Sequence, residues 1–350
     1  MKIRNLLDLS LPELSSILAA WSVPAYRVRQ VVEWIYQKRA TSFAQCTNLP
    51  LDLRERLAQS FLLRSLSLEK KEVSHIDSTV RYTFTTQDGL SLSTVFMPQG
   101  DRNSLCISSQ IGCPVGCSFC HSGALGFKRN LSGGEILEQV LQVEQDAGKK
   151  ADSILLMGMG EPMLNYDNMV YAVKAMVDPR RLGISRRHVT VSTVGYVPQI
   201  RKFATEYTGV RLALSLHAAD DVSRKKFIAN VPYGLGDILL AGLEYAREAN
   251  ARLTLEYILV SGVNDSLQDA ERLVKLINRS ALPDDEIRVN LIPCNTIKAA
   301  SGAGQEQQLR PPERVTVRHF QEYLADHGVV ATIRQARGAD IDAACGQLGF

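Results

Sequence analysis

From about residue 100 onward the sequence alternates short apolar runs with stretches of helical period, and this alternation limits the chain to a few architectures. Runs at 105–108, 154–157, 189–192, 212–216, 253–259, 289–292 and 329–333 have the length and content of strands. Segments between them, such as 134–145 and 312–325, carry apolar residues at helical spacing. Repeated strand–helix–strand units build a parallel sheet covered by helices, open or closed into a partial or full barrel. In such folds ligands collect beyond the carboxyl ends of the strands, so the loops that follow the apolar runs are where chemistry is to be sought.

Ahead of this region the first seventy residues read as helices. Ser10-Leu11-Pro12-Glu13 has the form of a capping box, and Leu14, Ile17, Leu18 and Trp21 follow on one face. Val28, Val31, Val32 and Ile35 predict a second helix, and Leu53 and Leu57 after Pro50 a third. From about residue 65 the period changes to two: 79–86 and 90–97 alternate around Asp88-Gly89, a hairpin signature. The division expected is a helical accessory domain over 1–71, a β-ribbon linker over 72–100 and an α/β core over 101–350.

Net charge is +3 for the chain, yet residues 1–71 hold eleven Lys/Arg against six Asp/Glu, a local +5. A basic appendage on a near-neutral body suits a polyanionic partner, although solvated helix faces give the same count. The N-terminus lacks the apolar core of a signal peptide, and no apolar run approaches the roughly 20 residues that span a bilayer. A cytoplasmic protein with no membrane partner is expected. Thiols there stay reduced, so the seven cysteines read as ligands, catalysts or packing residues rather than as disulfides.

Three of them, Cys113, Cys117 and Cys120, form a C-x₃-C-x₂-C loop after an apolar run. Three thiolates from one loop can hold three irons of a [4Fe–4S] cluster and leave the fourth iron open. An open iron can chelate the amino and carboxylate groups of S-adenosylmethionine (SAM). The alternative is structural zinc, which takes four ligands commonly arranged in two pairs; no second such pair is evident, though His121 and Cys106 are near in sequence.

The cysteine loop, with Phe119 before its last cysteine, resembles the signature of the radical SAM superfamily. Met157-Gly-Met-Gly160-Glu161-Pro162, Ser192-Thr193, Ser215-Leu216-His217, Asn290 to Asn295 and the terminal stretch Arg337 to Leu348 together resemble the RNA adenine methyltransferases that act on 23S rRNA and tRNA. The fold this implies is α/β, a partial (βα)6-type barrel with a small N-terminal helical domain and a β-ribbon linker. The resemblance also implies a [4Fe–4S] cluster on Cys113, Cys117 and Cys120, and SAM bound by Gly160, Glu161, Ser192, Ser215, Leu216, His217 and Asn295. By themselves these residues say less: a tight turn with a solvated glutamate would look like Gly158 to Glu161, and a lone His217 reads as a core histidine.

Cys345 lies in a small-residue loop, where a buried inert cysteine is the plain alternative. The resemblance makes it the catalytic cysteine that becomes S-methylated and Cys106 its partner thiol. In the implied reaction one SAM methylates Cys345, and a second yields a radical that removes hydrogen from that methyl group. The resulting carbon radical adds to adenine; loss of the ring proton and attack by Cys106 then release methylated RNA and leave a Cys106–Cys345 disulfide, which a reductant restores. Two SAM are used per turnover, with an electron donor such as flavodoxin or ferredoxin, and the protein is expected to be a monomer. The implied targets are C2 of adenosine 2503 in 23S rRNA and adenosine 37 in tRNA.

Two departures stand out. The family carries a glutamate, in a Glu-Thr-Val context, where this chain has Ser93-Thr94-Val95, and His121-Ser122 replaces a common Thr-Gly. C8 methylation, as in the antibiotic-resistance branch, a divergent RNA target, or a non-catalytic metal-containing RNA-binding protein remain as alternatives at this point. Cys46 and Cys294 match no motif and read as packing residues.

Overall fold

Apolar strand segments that must bury both faces dominate the second half of the chain, and they pair in sequence order. The computed structural model describes residues 3–206, 208–278, 287–295, 297–299 and 307–349. Ten strands form one sheet: β1 (Leu66–Val73), β2 (Val80–Thr86), β3 (Ser91–Gln99), β4 (Arg102–Cys106), β5 (Ser153–Leu156), β6 (Val189–Thr193), β7 (Arg211–Ser215), β8 (Leu253–Leu259), β9 (Ile287–Pro293) and β10 (Ala331–Ile333). The pairs from β1 to β4 are antiparallel and those from β4 to β10 parallel.

Crossover helices α4 (Gly133–Ala147), α5 (Tyr166–Val177), α6 (Val197–Ala204), α7 (Leu235–Ala249), α8 (Leu267–Asn278) and α9 (Arg314–Asp326) join the parallel strands. Six βα units followed by β10 make the expected partial barrel, and no pairing among the described residues closes it. All seven expected strands form. The first begins at Arg102, earlier than its apolar run suggests, because the polar residues Asn103 and Ser104 pair with β3 on one side and Ser104 with β5 on the other. It ends as the Ser108 N–H turns to the Gln139 side chain at 2.8 Å.

The N-terminal helices are α1 (Leu11–Ala20), α2 (Tyr26–Tyr36) and α3 (Leu51–Ser60). The capping box at α1 is complete: the Glu13 N–H donates to Ser10 Oγ and the Ser10 N–H to the Glu13 carboxylate. Leu14, Leu18, Val31, Val32, Ile35, Leu53 and Leu57 are buried as the periodicity predicts, in an apolar cluster of residues 6–63 that reaches the rest of the chain through Leu141.

Polar groups dock this cluster onto α4. The buried Glu138 carboxylate accepts from the Asn5 amide (3.1 Å), the Ser65 N–H (2.9 Å) and hydroxyl (2.7 Å), the Leu66 N–H (3.0 Å) and the Gln142 amide (2.8 Å). Burial raises its pKa against these bonds. Asp8 accepts from the Gly134 N–H at 2.6 Å, Arg39 pairs with the buried Glu144, and the Tyr171 hydroxyl lies 2.7 Å from the carbonyls of both Leu7 and Leu9.

Glu138→Ala leaves several buried donors without an acceptor and should cost about 2–4 kcal/mol. A lower urea midpoint, with amide exchange accelerating first around residues 5–66, is the expected result. Glu138→Gln, which keeps one acceptor oxygen, should lose less. An unchanged midpoint in Glu138→Ala would show that the docking does not depend on this carboxylate.

Candidate active site

Because strands β4 to β10 run parallel, the residues that follow them meet at one edge. There a cavity of about 930 Å³, part of it open to solvent, is lined by Cys113, Cys117, Cys120, Gly160, Glu161, Ser192, Ser215, His217, Asn295 and Cys345. These are ten of the twelve residues the sequence singled out. Cys106 is buried at the end of β4 and lines an adjoining pocket together with Cys120, Cys345 and Arg334. Leu216 does not face the cavity; its side chain is in the main apolar core.

The three cysteines of the loop are half-buried beside Val115, Phe119, Phe227 and Ile258. Burial pushes the Cys113 thiol up to about 12 and raises Cys117 and Cys120 as well, so these sulfurs hold their protons until a cation replaces them. Peptide N–H groups of Val115 and Gly116 face the Cys113 sulfur, and those of Ser122 and Gly123 the Cys120 sulfur. Three thiols of one loop with N–H donors at their sulfurs fit an iron–sulfur cluster. Among the described residues no group of three or more His, Cys, Asp or Glu side chains is arranged around a single metal ion.

The turn after β5 lies against the strand end at 107–110. At Gly158 an added Cβ would sit 2.7 Å from the Ile107 carbonyl oxygen, and at Gly160, with φ +99°, 2.7 Å from the Gln110 nitrogen. The glycines thus serve close backbone packing in addition to any approach to a ligand. Glu161 is buried, and desolvation lifts its carboxyl to about 7 even though it accepts from the Met163 N–H (3.0 Å) and the Val194 N–H (2.9 Å). Ser192 Oγ and Ser215 Oγ are 3.4 Å apart on adjacent strands.

His217 takes a left-handed backbone (φ +59°) after β7, with its carbonyl held by the Asn264 amide at 2.9 Å. Its Nδ1 accepts from the Ile258 N–H at 3.1 Å, which assigns the neutral ring with its proton on Nε2, and Phe119 packs edge-on at 4.7 Å. Burial, then Arg224, depress its pKa to about 3. Asn295 donates to the Cys345 carbonyl at 3.0 Å, so this residue, expected to contact SAM, also holds the cysteine loop.

Several site residues had no sequence signal. Arg224 is buried and its guanidinium ties the carbonyls of Val194, Ser215 and Leu216 together across two strand ends. Glu256, on β8, lines the cavity; one carboxylate oxygen accepts from Asn290 at 2.9 Å and the other is buried with no hydrogen-bond partner among the described residues. Arg334 lines both cavity and pocket, 3.9 Å from Glu256; the neighbouring Cys345 raises its pKa most. Burial pushes the Cys106 thiol up to about 12, Cys345 adds to the rise and Arg334 opposes it.

A parallel sheet whose first strand leads into three cysteines, with the polar ends of its later strands around the same cavity, defines a radical SAM enzyme. The profile of the radical SAM superfamily matches residues 107–277, and that of the ribosomal RNA large subunit methyltransferase N-terminal domain matches 4–63. The solved structure of a radical SAM methyltransferase from Sphaerobacter thermophilus is 39% identical, with a TM-score of 0.91 over 99% of both chains. The probable dual-specificity RNA methyltransferase RlmN of Endomicrobium trichonymphae is 47% identical over 93% of this chain and 91% of its own length. That of Pelotomaculum thermopropionicum is 42% identical over 98% and 91%. The chain belongs to the RlmN family of radical SAM RNA methyltransferases. It is therefore an enzyme, one that works with a [4Fe–4S] cluster and SAM, and the non-catalytic alternative is set aside.

The low pKa of His217 has a consequence for stability. An unfolded histidine takes up its proton near pH 6.5, the folded one only near 3, so the unfolded state is favoured as pH falls through that window. The loss is about 1.4 kcal/mol per pH unit. His217→Asn removes this dependence, so the gap between wild-type and variant urea midpoints should narrow from pH 7 to pH 5. A constant gap would show that the ring titrates normally.

Proposed function

We propose that the chain methylates C2 of adenine in RNA, with 23S rRNA and tRNA as its substrates, in keeping with the dual-specificity name of its relatives. In this reading Cys113, Cys117 and Cys120 hold the cluster, and Gly160, Glu161, Ser192, the stretch Ser215 to His217, and Asn295 hold SAM. The bound cluster supplies the electron that cleaves SAM to methionine and a 5′-deoxyadenosyl radical. Cys345 carries the methyl group, and Cys106 releases the product by attacking the Cys345 sulfur.

One observation carries this assignment: Cys345 lines the cavity of the three cysteines and also the pocket that holds Cys106. A methyl carrier needs that double exposure, toward the cofactor on one side and toward the base and the resolving thiol on the other. Arg334, beside both thiols, works against the burial that holds Cys106 protonated and so favours its thiolate when it acts as a nucleophile. The neutral His217 and the buried Glu161 offer an uncharged ring and a carboxyl for the nucleoside and amino acid parts of SAM. RNA would approach across the pocket rim at Arg334 and Arg337 and the basic N-terminal helices. A flavodoxin- or ferredoxin-type donor, a monomeric state and a cytoplasmic setting complete the proposal.

Replacing Cys113, Cys117 or Cys120 by Ala should abolish iron binding and 5′-deoxyadenosine formation; an intact brown chromophore with full SAM cleavage in all three variants would overturn the ligand assignment. Cys345→Ala should form no protein–RNA adduct. Cys106→Ala should instead accumulate RNA covalently attached to Cys345, read by peptide mapping after nuclease digestion. Normal turnover in Cys106→Ala would exclude the two-thiol reaction.

A further inference from the structure

The loop that carries Cys345 is moored to the β-ribbon by polar bonds and has little regular structure of its own. Asp340 accepts from Ser74 Oγ (2.7 Å) and the His75 N–H (3.0 Å), and Asp77 accepts from the Gly338 N–H (3.0 Å). These contacts fix where the loop enters. Beside the sulfur, the Asn295 amide holds the Cys345 carbonyl, the His121 N–H the Gly346 carbonyl and the Ser122 hydroxyl the Leu348 carbonyl, and the limbs farther out complete its placement.

Arg81, on β2, reaches both. Its guanidinium donates to the carbonyls of Ile341 and Asp342 (3.4 Å each), before Cys345, and to the carbonyl of Gly349 (2.8 Å), after it. Its Nε donates to Ser93 Oγ at 3.3 Å on the paired strand β3. The arginine is buried. A planar fork that bonds several carbonyls at once restricts them more than a point charge does.

We infer that Arg81 is a positioning residue that clasps the two limbs of the Cys345 loop and so holds the methyl-carrying sulfur between the cofactor cavity and the Cys106 pocket. The inference rests on the reading of Cys345 as methyl carrier. Ser93 belongs to the same device. Its hydroxyl takes one N–H of the guanidinium without competing for the rest, whereas a carboxylate at this buried position would form a charge-assisted pair and draw the fork off the loop carbonyls. A neutral residue at 93 is thus a condition for the clasp.

Misplacing a reacting group by about 1 Å can cost roughly 10²-fold in rate. Because the bonds of the clasp go to Ser93, Ile341, Asp342 and Gly349 and not to the three cysteines, SAM cleavage should outlast methyl transfer when it is opened. In Arg81→Ala the ratio of 5′-deoxyadenosine to methylated RNA should rise at least about 10-fold, with unchanged iron content. Arg81→Lys keeps the buried cation but cannot span both limbs, and should shift the ratio the same way by less. Ser93→Glu should also raise it. Mass spectrometry of the wild-type terminal peptide runs alongside: if Cys345 carries no methyl group, the carrier reading fails and the clasp with it. If Cys345 is methylated and Arg81→Lys retains the wild-type ratio and rate, the clasp alone is overturned, whether or not Arg81→Ala folds.

Discussion

Parallel pairing is the constraint on which the site depends. Strands that run the same way end at the same edge, so residues as far apart as 106 and 295 meet without any sequence proximity. Register sharpens this. Ser215, Glu256, Asn290 and Thr332 are direct partners across β7 to β10, and form a polar row over four strands. Thr332 donates to Asn290 at 2.6 Å and Asn290 to Glu256 at 2.9 Å. A shift of one residue in any of these strands would turn its polar residue to the opposite face.

The electrostatics of the cavity follow from dryness. Desolvation is the largest influence on the three loop thiols, on Glu161 and on His217, and in each it favours the uncharged form. The buried Arg224 opposes it at Cys117 and Glu161 but reinforces it at His217, and the half-buried Arg334 opposes it at Cys106 and Glu256. Arg224 stands near Cys117 and Glu161, and Arg334 near Cys345, Cys106 and Glu256. Arg224 is held by backbone carbonyls behind the cavity wall, and Arg334, which lines the cavity, stands 3.9 Å from Glu256.

Attachment of the parts differs in kind. The N-terminal helices pack through their own apolar cluster and dock on α4 through carboxylates. The antiparallel strands β1 to β3 extend the parallel sheet, which makes the ribbon a continuous neighbour of β4. That continuity brings Arg81 and Ser93 to the terminal loop. The departure at Ser93 can be understood only there: its hydroxyl accepts from an arginine whose other bonds reach residues more than two hundred positions away.

Local patterns were legible from the sequence because they are properties of neighbours along the chain. The capping box at Ser10, the apolar faces of the N-terminal helices, the hairpin at Gly89, seven strands and the C-x₃-C-x₂-C loop all depend on spacing over a few residues. The resemblance extended this to twelve residues scattered from Cys106 to Cys345, ten of them around one cavity. Tertiary structure alone decided the rest. Leu216 faces the core, since the backbone after β7 turns only its neighbours outward. Arg224, Glu256, Arg334 and Arg81 carry no local signature, because a buried or half-buried charge is stable only where distant partners surround it, and those partners are assembled by the fold.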